Sequence, residues 1–428
     1  MVWLKDTAVW QEVRSGRFAL LLAALAFCLV RARDQPSVNV GLGSTQASVV
    51  PGDILLVVLG LVALWTLARQ PQTRATWIAL AGAAAFCLLV LGTGAANSAS
   101  AFVSGSKLVE LAALCLGVLT LARTTTRFEA IVDLLIVFTI AADLVGLVQF
   151  LHTGGRQASF LGEHDFAALA TLPLLYGLAR ELAGERRRRT VVAIVAGAVG
   201  CILGAALASL LGLYLGAAAL LVVAAAHRRL TLPKLLVVTG VVAVVTAGTL
   251  VLRAGDLGFL QSWFGKPASR PGQYAASWSQ RLIYAYIGEK VFTAHPLLGT
   301  GWYGDLPPRE FTVYLPAARA RFPDQPARYF PPADKPFIPQ QAWDEILYEL
   351  GLAGALAMLV FVGSLARLTI RAARRGAEVA ASIPAAWLAA TIGALAGEGL
   401  FGGTPLAATF WLVAGVVLAL STATLAQQ

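Results

Sequence analysis

The stretch SQRLIYAYIGEKVFTAHPLLGTGWYG (residues 279–304) lies in the one long polar interval of this chain, residues 254–351. The interval closes with IPQQAWDEILYELGLAG (residues 338–354), which leads into a new apolar run. An Arg on a predicted helix, a glycine-containing turn and a helix with a polar stripe follow one another here. This order indicates a membrane protein whose chemistry is concentrated in one extramembrane loop.

Composition places the rest of the chain in the bilayer. Hydrophobic residues make up 58% of the 428 positions and charged residues 13%, against roughly 25% charged residues in soluble proteins. A crossing needs about 20 apolar residues, and we predict an all-α polytopic fold with twelve spans. Spans 1–9 fall within residues 1–253, an external loop occupies 254–341, and spans 10–12 fall within 342–428. The spans lie at residues 18–32, 52–68, 76–95, 106–122, 129–151, 165–180, 190–208, 210–226, 234–252, 342–366, 382–400 and 403–425.

The net charge of +10 is interpreted as a topology signal, because Lys and Arg accumulate in short cytoplasmic loops. We predict that both termini are cytoplasmic, that the long loop is external and that nucleic acid is not a partner. A cleaved signal peptide is the alternative for the first span, but the run ends in Arg31-Ala-Arg33-Asp34, a poor cleavage site. The predicted cytoplasmic ends carry Lys5, Arg14, Arg17, Arg69, Arg74, Arg123, Arg127, Arg180, Arg186 to Arg189, Arg228, Arg229, Lys234, Arg367, Arg371, Arg374 and Arg375.

Cysteine and histidine usage predicts neither a disulfide framework nor a metal centre. The four cysteines lie in apolar runs, where a free thiol behaves as a small core residue. The four histidines are scattered, and no Cys/His spacing typical of zinc occurs. The cysteines are Cys28, Cys87, Cys115 and Cys201.

A helix over residues 279–292 would place Arg281, Ala285 and Glu289 on one face, with Gly288 beside them. Small residues around one Arg suit the close approach of a bulky anion, since Arg binds phosphate through two parallel hydrogen bonds. The alternative is a surface ion pair between Arg281 and Glu289 or another acid of the loop. His295 precedes Pro296 and is interpreted first as a turn residue.

The helix that begins near Gln340 carries a polar stripe at positions 340, 341, 344, 345, 348 and 349. A helix that enters lipid cannot direct Asp344, Glu345 and Glu349 at hydrocarbon without a large cost, so the stripe must face the bundle or a wet cavity. Two interpretations stay open. The acids take part in chemistry, or they hold the external loop on the bundle.

A third polar segment, Arg156-Gln-Ala-Ser-Phe-Leu-Gly-Glu163-His164-Asp165, opens the sixth predicted span. Glu163, His164 and Asp165 form a candidate set of proton acceptors. Capping of the following helix is the alternative for Asp165 and Glu163, and a cap stabilises a helix by roughly 1 kcal/mol. Other acids in predicted spans need polar partners, and we expect structural pairing for Asp133 and Asp143. The remaining acids in spans are Glu110 and Glu398.

Arg281, HPLLGTG and ELGLAG resemble the large loop of the O-antigen ligase/polymerase family, and the resemblance covers roughly residues 150–400. The family pattern His-Asn-x-x-Leu-x-x-Leu-x-Glu-x-Gly-Leu-x-Gly places Gln340 where the family has His. Residues 209–212 align with a Ser-Arg-Gly-like turn in which Leu210 replaces the Arg. Asp165 stands where relatives often have Asn.

The resemblance implies inverting, metal-independent and cofactor-free transfer of a glycan from a polyprenyl-diphosphate carrier to a hydroxyl of a glycan or lipid acceptor. Arg281 and Arg156 would bind the diphosphate in a bacterial cytoplasmic membrane, with Gln340, His164 and His295 as further substrate contacts. The expected base is a carboxylate, first Asp344, then Glu345, then the pair Glu163 and Asp165. A non-catalytic relative that binds or scaffolds a lipid-linked glycan is the alternative, and a transporter is a weaker one.

Overall fold

The computed structural model describes residues 16–42, 45–254, 276–375, 382–400 and 404–426. It is mostly helical, with one small two-stranded sheet. The strands are β1 Val38–Leu42 and β2 Thr45–Val49. The helices are α1 Gly16–Cys28, α2 Pro51–Leu67, α3 Arg74–Asn97, α4 Ala99–Glu110, α5 Ala112–Leu121, α6 Thr125–Thr153, α7 Glu163–Ala183, α8 Arg188–Gly204, α9 Leu207–Ala226, α10 Leu232–Leu252, α11 Ala276–Ala294, α12 Pro308–Phe311, α13 Leu315–Arg321, α14 Ala342–Arg375, α15 Ile383–Ala394 and α16 Thr404–Ala426.

The described helices make this a multi-pass membrane protein. Seven segments are long and apolar enough to cross a bilayer, namely α3, α4 with α5, α6, α7, α9, α10 and α14. Four shorter apolar helices, α1, α2, α15 and α16, coincide with further predicted spans. The prediction of helical membrane segments is therefore confirmed, and the count of twelve crossings stays a prediction.

The β-hairpin between α1 and α2 was not predicted. Val38 pairs with Val49 and Val40 with Ala47 in an antiparallel ladder. The alternation of Val38, Val40 and Leu42 with polar or small residues is the usual strand signal, and it lies between two much stronger apolar runs. The beginning of the predicted external loop, residues 255–275, lies outside the described residues, as do residues 1–15.

Small residues bring the central helices together. Gly197 of α8 lies against the backbone of α7, where an added Cβ would meet Leu174 N at 2.7 Å. Gly212 of α9 packs in the same way against Ala390 of α15. Close backbone approach of this kind is how helices associate where lipid supplies no hydrophobic drive.

The packing of α9 corrects the predicted turn at residues 209–212. Helix α8 ends at Gly204, Ala205 takes a left-handed conformation (φ 43°), and α9 begins at Leu207. Ser209 and Gly212 therefore lie inside α9, and Leu210 is buried in the core. The turn lies earlier, at Ala205, because Gly212 must be inside α9 to pack against α15.

An ion-pair network occupies the end of the bundle where α7 terminates. Arg189 pairs with Glu129 and, at 2.7 Å, with Asp133, while Arg180 reaches Glu129 at 3.2 Å. The expected structural pairing of Asp133 is thus confirmed. The expectation for Asp143 is not met, because its buried Oδ1 has no hydrogen-bond partner.

The segment between α10 and α14 has a small core of its own. Ile283, Ile287 and Val291 of α11 are buried against aromatic residues of this segment and of α14. Between residues 305 and 340, prolines limit helix to the short segments α12 and α13 and to single 310 turns. The aromatic members of this core include Phe311, Phe330, Phe337 and Tyr348.

The HPLLGTG turn fills a break in α14. Gly351 is non-helical (φ 60°, ψ −157°), which releases backbone groups inside the protein. The turn takes them up, because Leu352 N donates to Pro296 O at 2.8 Å and Thr300 N donates to Tyr348 O at 3.0 Å. A break in a membrane helix is tolerated where protein satisfies the freed backbone, so the conspicuous motif has a structural task.

We expect Gly351→Ala to destabilise the protein by more than about 2 kcal/mol, since a positive φ alone costs an L-residue about 1–3 kcal/mol. The added Cβ would also lie 2.6 Å from Gly299 N and from Leu297 O. Gly363→Ala is the matched control, because it lies in the same helix with no atom within 4 Å of the added Cβ. Thermal unfolding of the purified protein should show a lower Tm for the first variant alone. Equal melting temperatures would refute the assigned role of the break.

Candidate active site at the mouth of the bundle

Four half-buried arginines converge where α7 begins. Arg281 of α11 donates from Nη2 to Gly397 O at 2.8 Å, and Arg253, after α10, donates from Nη1 to Ala205 O at 3.2 Å. Arg31, after α1, donates to Leu161 O, and Arg156 pairs with Glu163. We call Arg31, Arg156, Arg253 and Arg281 the arginine cluster. Four separate parts of the chain supply it.

The arginines act on one another electrostatically. Burial, reinforced by Arg253 and Arg156, lowers the pKa of Arg281, and Glu398 opposes this shift. Arginine remains charged in proteins, since its ordinary pKa is above 12. Like charges held together in a partly buried place are unfavourable without an anion. The cluster therefore has the character of an anion site.

Three acids lie among the arginines, and each is held differently. Glu163 forms an ion pair with Arg156. Asp165 is buried, and its Oδ1 accepts from Leu406 N of α16 at 2.8 Å. Glu398 interacts with Asp165, Arg31 and Arg281, yet its buried Oε2 has no hydrogen-bond partner. Glu398 is thus the acid of the cluster with an unused oxygen.

The structure corrects the predicted capping role of Asp165. Gly162 occupies the N-cap position of α7, and no side chain caps that helix. Asp165 instead accepts from the first turn of another helix, α16. Sequence could not show this, because Leu406 lies 241 positions away along the chain.

His164 belongs to the same mouth. It is half-buried and lies within electrostatic reach of Arg281, Arg156 and Arg253. A Cβ placed on Gly397 would lie 3.9 Å from its Nδ1. The predicted residues Arg281, Arg156 and His164 are therefore brought together, along with Glu163 and Asp165.

The acids of α14 form a separate group. The charges that act on Glu345 are those of Glu349, Asp305 and Asp344, and the arginine cluster is not among them. Asp344 packs on Gly288, where an added Cβ would lie 2.6 Å from its Oδ1. The small-residue face of α11 that was expected to admit a substrate anion thus accommodates a carboxylate of the protein itself.

Two of these acids anchor backbone. Glu349 is fully buried, and its Oε2 accepts from Tyr303 N at 2.9 Å and from Gly304 N at 3.1 Å. Glu345 is equally buried, and its Oε2 accepts from Leu400 N at 2.5 Å. Glu349 therefore holds residues 303–304, which follow the HPLLGTG turn, on α14, while Glu345 holds the segment that carries Glu398.

Residues 397–400, the linking segment, join the two groups. Gly397 O accepts from Arg281, Glu398 lies in the arginine cluster, and Leu400 N donates to Glu345. Gly399 leaves no room for a side chain, because a Cβ would lie 2.7 Å from Pro339 Cβ and 2.8 Å from Glu345 Oε2. Glu345 thus acts on the cluster through the backbone.

Two predicted substrate contacts lie at the edge of this arrangement. Gln340 donates from Nε2 to Ile338 O at 3.4 Å and follows Pro339, which touches the linking segment. His295 is exposed, and its carbonyl oxygen accepts from Gly299 N at 3.0 Å. Its turn role is confirmed, and substrate binding by either residue stays a prediction.

Sequence reasoning missed three members of the site, Arg31, Arg253 and Glu398. In the sequence, Arg31 was named only at the end of the first apolar run, and Glu398 was interpreted as an acid that needs a polar partner. Arg253 follows directly on an apolar run, the one signal that could have placed it at a membrane surface. Their convergence depends on contacts between helices distant in sequence.

Comparison with known proteins gives one finding. A family model described as O-antigen ligase matches residues 192–359, which run from α8 into α14. The matched region contains Arg253, Arg281, Gln340 and the acids of α14, and it ends before Glu398. No curated protein matches the chain.

We expect Glu349→Leu to loosen the segment between α11 and α14, because Tyr303 N and Gly304 N would lose their buried acceptor at a cost of about 1–3 kcal/mol each. Glu289→Leu is the control, since Glu289 is exposed on α11. Limited proteolysis between residues 305 and 340, followed by mass spectrometry, should show faster cleavage for Glu349→Leu only. Identical cleavage rates would remove the anchoring role from Glu349.

Proposed function

The chain belongs to the O-antigen ligase family by its residues 192–359, and on this premise we propose that it transfers a glycan from a polyprenyl-diphosphate carrier to an acceptor hydroxyl. It would work as a polysaccharide polymerase or an O-antigen-type ligase. The observation that carries the proposal is the convergence of Arg31, Arg156, Arg253 and Arg281 at one end of the helical bundle. Such a cluster suits a diphosphate held at the membrane surface.

The arginines have a defined electrostatic task in this reaction. Cleavage of the bond from the sugar C1 to the diphosphate oxygen leaves the electron pair, and so the negative charge, on that oxygen. Guanidinium groups already placed around it stabilise the charge as it develops, which is commonly the largest contribution to catalysis. Arg281 and Arg253 are fixed by backbone carbonyls, so little reorganisation is needed.

The acceptor oxygen forms the new bond to C1 from the face opposite the diphosphate, with inversion, and its proton must pass to a base. We propose Glu398, because it faces Arg31 and Arg281 and keeps one oxygen without a hydrogen bond. Asp344, the first choice from sequence, stays a candidate. Glu345 and Asp165 are engaged with backbone amides, which favours a positioning role for both.

The remaining parts of the proposal concern place and partners. We propose a bacterial cytoplasmic membrane, cytoplasmic termini and an external loop, supported by the basic segments of the sequence. The partners would be a polyprenyl-diphosphate-linked glycan and a glycan or lipid acceptor, and no metal or cofactor would be required. A transporter is less favoured, because the break in α14 is filled by the HPLLGTG turn.

We expect Arg281→Ala to reduce glycan transfer by at least 100-fold, since a diphosphate contact and the link to Gly397 are both lost. Arg281→Lys should recover a minor part, because Lys lacks the planar fork. Arg319→Ala is the control, as Arg319 is exposed on the same loop. The assay uses purified protein in nanodiscs with a polyprenyl-diphosphate oligosaccharide. Full activity of Arg281→Ala would contradict the proposed site, and donor binding without transfer by the wild type would instead support the scaffold alternative.

The base is identified by charge-neutral substitutions that keep shape. We expect Glu398→Gln to lose at least 100-fold in turnover with the donor affinity retained, and Asp344→Asn to lose less than tenfold. The reverse order would return the role to Asp344. A pH profile tests Glu398 further, because burial, reinforced by Asp165, raises the pKa of its carboxyl to about 8. A base must be deprotonated, so turnover should fall as the pH drops through about 8. Turnover that persists well below pH 8 would contradict Glu398 as the base.

A further inference from the structure

A cavity of about 400 Å³ is lined by the turn after α1, by α2, by α4 and by Ser48 of the β-hairpin. Small-molecule sites occupy roughly 300–1,000 Å³, so the volume suits a compact ligand. One part of the lining is apolar and includes Phe27, Leu56 and Leu108. The other part is polar and includes Gln35, Ser48, Asp53, Lys107 and Glu110. Neither the sequence motifs nor the arginine cluster uses these residues.

The polar part offers acceptors that are shared or unused. Lys107 pairs with Asp53 and lies 3.8 Å from Glu110, so one ammonium group serves two carboxylates. The amide nitrogen of Gln35 donates to Phe27 O and Val30 O, each at 2.8 Å, and its buried Oε1 has no hydrogen-bond partner. Such acceptors suit a ligand rich in hydroxyl donors.

Two segments, the turn after α1 and the linking segment, reach both the cavity and the arginine cluster. Arg31 of the turn after α1 contacts Leu161 at the cluster, whereas Arg33 and Gln35 of the same turn line the cavity. Leu400 also lines the cavity, and it lies two residues beyond Glu398 on the linking segment. A ligand in the cavity would therefore lie next to the proposed base.

We propose that this cavity binds the terminal sugar of the acceptor glycan. The inference rests on the proposed function and adds to it the place of the second substrate. Sugar hydroxyls would donate to Asp53, Glu110 and Gln35, and the apolar C–H face of the ring would pack on Phe27. Ser48 of the hairpin lies on the lining, which would give this unpredicted element a part in binding.

Gly52→Leu tests the assignment by filling the cavity. Gly52 lines it, and an added Cβ meets only Gln35 and Phe27 side chains at 3.4 Å or more. We expect at least a tenfold rise in the acceptor KM with the donor KM unchanged. Gly92→Leu is the control, since nothing lies within 4 Å of its added Cβ.

Glu110→Gln should also raise the acceptor KM, and it leaves the cavity volume unchanged. This variant replaces Gly52→Leu as the test if Gly52→Leu does not fold. An unchanged acceptor KM in a folded variant would overturn the assignment.

A labelling experiment separates this proposal from the transfer activity. Ser48→Cys places a thiol on the lining of the cavity, and Val40→Cys places one on an exposed part of the hairpin outside the lining. The probe is a soluble oligosaccharide fraction released from the envelope glycan of the organism that carries this chain. It should slow the reaction of Ser48→Cys with a methanethiosulfonate reagent at least fivefold and leave Val40→Cys unchanged. If the oligosaccharide fraction protects Ser48→Cys but the protein transfers no glycan, the proposed function is contradicted and the sugar site is retained. Protection by phosphatidylglycerol vesicles alone would reassign the cavity to lipid.

Discussion

Each backbone group that leaves a helix inside this bundle must find a partner within the protein, because lipid offers none. The structure meets this constraint with polar side chains and loop backbone at every interruption described above. The HPLLGTG turn serves the break at Gly351, Glu345 accepts from Leu400 N, and Asp165 accepts from Leu406 N. Glu345 and Asp165, which were candidate bases in the sequence analysis, thus accept hydrogen bonds from such backbone groups.

The same constraint builds the site. The linking segment is not helical at Glu398 and Gly399, and its backbone is held by Arg281 on one side and by Glu345 on the other. Arg281 and Glu345 therefore hold the backbone of the linking segment and also place charge near Glu398. A variant at either position changes the geometry of Glu398 as well as the local charge, so turnover and stability must be measured together.

Leu210 and Gln340, the two residues that depart from the family pattern, each have a defined place in the structure. Leu210 is buried in the core within α9, and four arginines from other elements already surround the mouth of α7. Gln340 lies beside Pro339, which contacts the linking segment. Glu398 of that segment therefore lies near the first turn of α14. These positions support the proposal that Glu398 accepts the proton.

Sequence alone determined the membrane class, the positions of the helical segments and the resemblance to the O-antigen ligase family, whose model matches residues 192–359. Those features are local, because they follow from runs of apolar residues and from short motifs. Sequence also selected Arg281, Arg156 and His164, which the structure brings together. The tertiary structure alone decided that Arg31, Arg253 and Glu398 join them, that Asp165 serves α16, and that Asp344 rests on Gly288. These contacts join residues that are distant in sequence, 48 positions for Arg253 and Ala205 and 241 for Asp165 and Leu406. Their energies depend on which helices pack together rather than on any pattern within one helix.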